Sequence, residues 1–248
     1  MNSFRLKIEL HSHTDFDPWD HIDYSAYQLI DEVARQGFEA LAITCHDALQ
    51  WSQSLADYAA AAGILLIPGV EATIEGKHVL IYGLEHFREP MSFAQLRALR
   101  QSRPQVFTIA PHPFYPGSSC LGRKLIQCTD CFDAIEYCHF YSRQANFNHK
   151  AMEMARILNK PVVGTSDIHL LRQVGKTYAY VAVKAKSLEA ISAAIKAGQV
   201  ELVTTPLSWL ELASLAFQME KISLRSRLRR WRLLSRKPPN PSISSAEE

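Results

Sequence analysis

The chain has 248 residues, 47% of them hydrophobic and 21% charged, enough to bury the core of one large domain. Its start, "MNSFRLKIEL", lacks the apolar run of a signal peptide, and no segment approaches the roughly 20 apolar residues of a membrane span, so a cytoplasmic protein is expected. Five cysteines without an export signal argue against a disulfide framework, and the single C-x-x-C of Cys128 and Cys131 has no second pair to complete a zinc ribbon.

In chain order, short apolar or β-branched runs recur as "LKIEL", "ALAIT", "ILLIPGV", "HVLIYG", "VFTIAP", "DAIEY", "PVVGTS" and "YAYVAV". Most are separated by stretches with helical periodicity, namely "SAYQLIDEVARQG", "SFAQLRALRQ", "NFNHKAMEMARIL" and "SLEAISAAIKAG". Strand alternating with helix predicts parallel strands joined by crossovers, in a (β/α) barrel or an open doubly wound sheet. One connection differs: Glu75-Gly76 reads as a tight turn, so residues 70–82 form a hairpin in which Thr73 faces His78 and His78 shares a face with Glu71. From about residue 206 the pattern changes. "LSWLELASLAFQME" is apolar and helical, and residues 221–237, "KISLRSRLRRWRLLSRK", carry eight basic residues and no acid although the net charge of the whole is only +2. The predicted organisation is a barrel over 1–206, a helical, basic extension over 207–236 and a disordered Pro- and Ser-rich tail over 237–248.

The ionisable residues fall where strands end. His11 and His13 close the first strand, His46 and Asp47 follow "LAIT", and Glu71 follows "LLIPGV". His112 follows "VFTIA", His139 follows "DAIEY", and Asp167 and His169 follow "VVGTS". The carboxyl ends of strands form the reactive face of barrels and open parallel sheets alike, so six segments deliver imidazoles and carboxylates to one rim. Side chains at i and i+2 of a strand point the same way, which lets H-x-H and D-x-H each address one cation, and a glutamate with two oxygens can bridge two. Such a cluster would be costly to hold together without cations. His21, His86 and His149 lie away from strand ends; Cys45 reads as a small buried residue, and Asp47 as either an imidazole's partner or a helix cap.

The order "HSH…DP", "AITCHD", "GVE", "KHVLIYG", "APHP" and "GTSDIH" resembles the PHP (polymerase and histidinol phosphatase) superfamily of metal-dependent phosphoesterases over residues 7–183. The resemblance implies a distorted (β/α)7 TIM-like barrel holding two or three divalent ions, zinc, manganese or iron. It implies His11, His13, His46, Glu71, His78, His112, Asp167 and His169 as ligands, with Glu71, Asp167 and His169 at the chemistry. The acid of the family's first motif is assigned to Asp17, with Asp15 and Asp20 as alternatives, and Cys45 stands where the family has Asp before the histidine. His139 is a further ligand or phosphate contact on the same resemblance, and Arg143, Arg172 and Lys176 are candidate phosphate clamps from the rim loops.

The function expected is hydrolysis of phosphate esters of a small metabolite, a nucleotide or a short oligonucleotide by a metal-activated hydroxide between ions ~3.5–4 Å apart. The sequence holds no G-x-S-x-G elbow, Walker A loop or G-x-G-x-x-G for a rival scheme. Two other readings stay open: an amidohydrolase-like C–N hydrolase, which would add a bridging lysine and end on a lone aspartate, and a non-catalytic metal-binding module acting through its C-terminal helix. That basic helix suits polyanions or peripheral contact with an anionic membrane.

Overall fold

The computed structural model describes residues 3–88 and 91–235; the tail predicted over 237–248 lies outside them. In chain order the elements are β1 (Phe4–Glu9), α1 (Ala26–Arg35), β2 (Ala40–Ile43), α2 (Gln53–Ala61), β3 (Leu65–Ile74), β4 (Lys77–Tyr82), α3 (Phe93–Ser102) and β5 (Phe107–Ala110). There follow α4 (Lys124–Gln127), β6 (Ala134–Cys138), α5 (Asn148–Ile157), β7 (Val162–Thr165), β8 (Thr177–Val183), α6 (Leu188–Lys196), β9 (Val200–Thr204) and α7 (Trp209–Ser235). Local chemistry sets several helix starts: Ser25, Ser52, Ser92 and Ser187 each accept a backbone N–H of the first turn on the side-chain oxygen, and Gln28 and Gln95 complete capping boxes.

The strands form one sheet in the order β7-β6-β5-β4-β3-β2-β1-β8-β9. The β1–β2, β2–β3, β5–β6 and β6–β7 pairs are parallel, as the alternating pattern predicts. The β3–β4 hairpin has the expected register, Thr73 opposite His78, and its turn residues Glu75 and Gly76 both take positive φ, 49° and 74°. Beyond the expectation, β8 runs antiparallel beside β1, and β9, which the apolar runs did not disclose, pairs antiparallel with β8. At the strands' carboxyl ends the sheet curls back on itself: His13 N donates to Ile168 O (2.9 Å) and Ile168 N to His11 O (3.1 Å). The result is a distorted, nearly closed α/β barrel with a C-terminal helix.

Each strand from β1 to β8 contributes to one apolar cluster, through Ile8, Ala42, Ile67, Leu80, Ile109, Ala134, Val163 and Val181, and Ile191 and Ile195 of α6 pack into it. Helices α3 and α5 bury a second cluster against β3 to β6, and α1 and α2 a third, which Ile222 of α7 joins. Gly164 permits the approach of β7 to β8: a Cβ there would stand 2.6 Å from Tyr178 O and closer still to Leu202 Cδ1. These clusters hold the strand ends fixed, and the side chains described next hang from those ends.

Candidate metal centre

The loop after β1 carries His11 and His13, the loop after β2 carries His46, β3 carries Glu71 and its hairpin partner β4 carries His78. His112 follows β5, and Asp167 and His169 follow β7. His46 and Glu71 are tied by a parallel bridge between their backbones. Three of the residues at these strand ends, Asp47, His112 and Asp167, take positive φ of 50°, 28° and 44°, a left-handed conformation that costs energy in a residue with a side chain.

Five imidazoles converge on the buried Glu71 carboxylate. Oε1 lies 2.7 Å from His78 Nδ1 and 3.1 Å from His112 Nε2. Oε2 lies 3.1 Å from His11 Nε2, 3.3 Å from His13 Nε2 and 3.1 Å from His46 Nε2. Asp167 Oδ1 faces His11 Nε2 and His13 Nε2, each at 3.3 Å, and His169 Nδ1 at 3.4 Å. His13 Nε2, His78 Nδ1 and Asp167 Oδ1 are buried without a hydrogen-bond partner among the described residues, although carboxylate oxygens or imidazoles stand this near. Lone pairs therefore share a space without being aligned on one another, which is the arrangement that ligands adopt around a cation. The donor set is imidazole plus carboxylate, suited to zinc, manganese or iron, so the residues fit divalent ions. His11, His13 and Glu71 offer one set of ligand atoms within 4.8 Å of one another, His46, Glu71 and His78 another, and His13, Asp167 and His169 a third.

Electrostatics point the same way. Burial pulls His11 down, but the carboxylates of Asp167, Glu136 and Glu71 outweigh it and lift it to about 10. Burial likewise opposes a proton on His13, yet the nearby carboxylates of Asp167, Asp17 and Glu71 raise it well above the usual imidazole range. Glu71, which burial alone would push up, is held well below the carboxylate range by His78, His11 and His46. Without ions, protons on the imidazoles supply the positive charge that this concentration of acids demands.

A ring of acids behind the imidazoles fixes their orientation, and most of it was not foreseen. Glu136, in the middle of β6, accepts from His11 Nδ1 at 2.6 Å and from His112 N at 2.5 Å, and also from the Thr165 hydroxyl. Glu9 accepts from the backbone N–H groups of Leu10, His11 and Ser166, each at 3.1 Å; burial nevertheless pushes its carboxyl up to about 8. The visible signal for both is a lone acid in an otherwise apolar strand, "KIEL" and "AIEYC". Cys120 Sγ, 3.5 Å from His112 Nδ1, left no such mark in the sequence.

Asp17, expected as a ligand from the first motif, bonds the Nδ1 atoms of two imidazoles, and with His13 and His46 it also offers a set of ligand atoms within 4.8 Å of one another. Its Oδ2 accepts from His13 Nδ1 (2.8 Å), His46 Nδ1 (3.0 Å) and His46 N (2.8 Å), and its Oδ1 takes the N–H groups of Trp19 and Asp20. Burial works against its charge, but His13 and His46 hold the carboxyl far below its ordinary range. Of the two alternatives, Asp15 is exposed, and Asp20 Oδ2 reaches the cluster at 3.1 Å from His169 Nε2. Asp47 fills neither expected role: its Oδ1 accepts from Thr73 N at 2.5 Å, tying the loop to β3.

Of the expected phosphate contacts, His139 lies beside the cluster, joined to His169 N and Asp167 O through Gln173, whereas Arg172 and Lys176 point to α7. His139 is buried and neutral, pushed by burial to about 4, and its Nε2 accepts from Gln173 Nε2 at 2.9 Å. Arg172 reaches Ser214 and Lys176 pairs with Glu211, both on α7. Arg143 is exposed in the loop between β6 and α5. Cys128 and Cys131 lie in the apolar core beside α3, and all five cysteines are free.

Comparison with known proteins agrees with this geometry. The chain is similar in structure to a two-domain protein from Bacteroides vulgatus containing a predicted PHP-like metal-dependent phosphoesterase, with a TM-score of 0.64 at 20% identity, covering 87% of this chain and 70% of that one. PsfC from Pseudomonas syringae PB-5123 gives a TM-score of 0.61 at 19% identity over 94% of this chain and 100% of its own. The lesion-specific endonuclease PfuEndoQ from Pyrococcus furiosus gives 0.57 at 13% identity over 86% of this chain and 66% of its own. At such identities these neighbours speak to the fold alone. No curated protein matches the sequence. The PHP-associated family model matches residues 145–200, and the PHP domain model matches residues 9–165, more than half of the chain, from the first strand to the last parallel one. The chain belongs to the PHP domain family.

Proposed function

We propose that this protein hydrolyses phosphate esters of a small metabolite, a nucleotide or a short oligonucleotide, with two or three zinc, manganese or iron ions as cofactors. The observation that carries this reading is the sharing of Glu71: one oxygen faces His78 and His112 and the other faces His11, His13 and His46, so that each group of imidazoles with its oxygen could hold a cation. Asp167, with His11, His13 and His169 around it, would complete the ligand set. When bound, the ions supply Lewis acidity and neutralise the charge that builds on the phosphoryl oxygens.

The chain's own residues do the rest. Glu136 and Asp17 hold their imidazoles by Nδ1, so that each Nε2 stays aimed at Glu71 or Asp167 and no rotation has to accompany turnover. His169 has Nδ1 at Asp167 and Nε2 beside Asp20, and the Asp20 carboxylate would orient the ring within the ligand set. No protein nucleophile is required.

The test is release of p-nitrophenol from its phosphate monoester and diester by manganese-reconstituted protein, with Glu71→Ala and Asp167→Ala as controls. Turnover in the parent, with turnover and bound metal both lost in the variants while circular dichroism is retained, is the expected result. A fully metal-loaded protein that cleaves neither ester, nor any member of a panel of phosphorylated metabolites and oligonucleotides, would support the non-catalytic module instead.

A further inference from the structure

Helix α7 has two apolar faces. Leu215, Ile222 and Ser226 are buried against the barrel; Ile222 joins the cluster under α1 and α2, and Ser226 Oγ accepts from His21 N at 2.9 Å. On the opposite side Leu210, Phe217 and Leu224 recur every seventh residue, followed by Leu228, and they are 85%, 62%, 53% and 47% exposed. With 3.6 residues per turn these four fall within an arc of about 40°, roughly 120–180° from the buried side chains. Lys221 lies over the Phe217 ring at 4.6 Å, Arg225 pairs with Asp23 at 3.1 Å, and Arg227 is exposed. The sequence then adds Arg229, Arg230 and Arg232, with no acid anywhere in residues 221–237.

We propose that this outward face of α7 docks the protein on an anionic phospholipid surface. The occupant has to satisfy an apolar stripe and the cations beside it at once. A second copy of the helix would cover the stripe but bring two sets of cations together, with only Glu211 and Glu220 in α7 to offset them. A nucleic acid would neutralise the cations but leave Leu210, Phe217, Leu224 and Leu228 facing water. A bilayer takes both: the stripe enters the boundary between headgroups and acyl chains, and anionic headgroups meet the cations. The helix would lie in the plane of the surface, since no helix among the described residues is long and apolar enough to cross it. Docking would act through a helix that packs on His21 and Asp23 and on Arg172 and Lys176, in the loops that carry Asp20 and His169.

The experiment is sedimentation of the full chain with vesicles of phosphatidylcholine alone or with about 30% phosphatidylserine. We expect at least about tenfold more bound protein on the anionic vesicles, and release at high salt. Phe217→Glu with Leu224→Glu changes two exposed side chains and should cut that binding about tenfold, with melting temperature and turnover of a soluble ester unchanged. Lys221→Gln with Arg227→Gln should lower binding to anionic vesicles only. Equal sedimentation with both vesicles, or undiminished binding by the Phe217/Leu224 variant, overturns the proposal. So does a concentration-dependent dimer abolished by that variant in protein that ignores vesicles, which assigns the face to a second copy. Oligonucleotide binding lost with Lys221 and Arg227 but kept without Phe217 and Leu224, again with no vesicle binding, assigns it to nucleic acid.

Discussion

Glu136 shows how much of the centre rests on a residue that touches no proposed ion. Its two oxygens hold the His11 ring and the His112 backbone while the Thr165 hydroxyl orients the carboxylate in turn. Glu136→Gln keeps the shape but offers the imidazole an uncharged oxygen, so metal affinity should fall by about 10–100-fold, read by competition with a chromogenic chelator; unchanged affinity would show that the ring is held by packing alone. Glu9 has the opposite character. Its folded-state carboxyl is raised to about 8 from the ordinary 4.5, so the folded chain keeps a proton that the unfolded chain has released between those values. Its contribution to stability is present below pH 4.5 and is lost as pH rises toward 8, by at most ~1.4 kcal/mol per pH unit. Glu9→Gln in metal-free protein should therefore gain stability relative to the parent between pH 5 and 8 in urea titrations, and a pH-independent difference would contradict the assignment.

At the scale of elements, the hairpin of β3 and β4 was legible because its turn chemistry and register are local: Glu75-Gly76 supplies two positive φ values, and a two-residue turn leaves one pairing. The neighbours of β8 were not legible. "YAYVAV" reads as a strand, but nothing within it says that it will lie antiparallel to the first strand of the chain. Its contact with β7 rests on Gly164, where a methyl group would collide with Tyr178 O and Leu202. Gly164→Ala should cost about 1–3 kcal/mol by overpacking, measured by chemical denaturation, and it should weaken the metal centre too, since Thr165, Ser166 and Asp167 follow directly. A neutral substitution would mean that β7 and β8 can part without consequence. Residues 53–61 also escaped the sequence reading; the helix there starts on a serine cap, but its exposed and buried positions give only Leu55 and Ala59 to the core, a weak stripe.

For the whole molecule, ion binding and folding should be linked, because the ligands come from loops after β1, β2, β5 and β7 and from the β3–β4 hairpin, and assemble only when the barrel closes. Manganese or zinc at about 100 times its dissociation constant should add roughly 2.7 kcal/mol and raise the melting temperature by about 5–10 °C over chelator-treated protein. The affinity should rise with pH across the range in which His11, lifted to about 10, gives up its proton to the ion. Absence of any thermal shift with zinc, manganese or iron would remove the basis of the proposed chemistry.

By itself the sequence determined the strands β1 to β8 but not β9, that most of them end in imidazoles and carboxylates, and that the chain resembles the PHP family, because side-chain alternation, turn residues and i, i+2 spacing act over a few residues. Only the tertiary structure decided that Asp17 bonds the Nδ1 atoms of two imidazoles, that Glu136 and Glu9 support the cluster, and that Arg172 and Lys176 turn to α7. Whether a buried carboxylate faces an ion or the far nitrogen of a ring depends on where strands distant in the chain place that ring, and on which groups are left to compensate for lost water. Those quantities exist only once the barrel has closed.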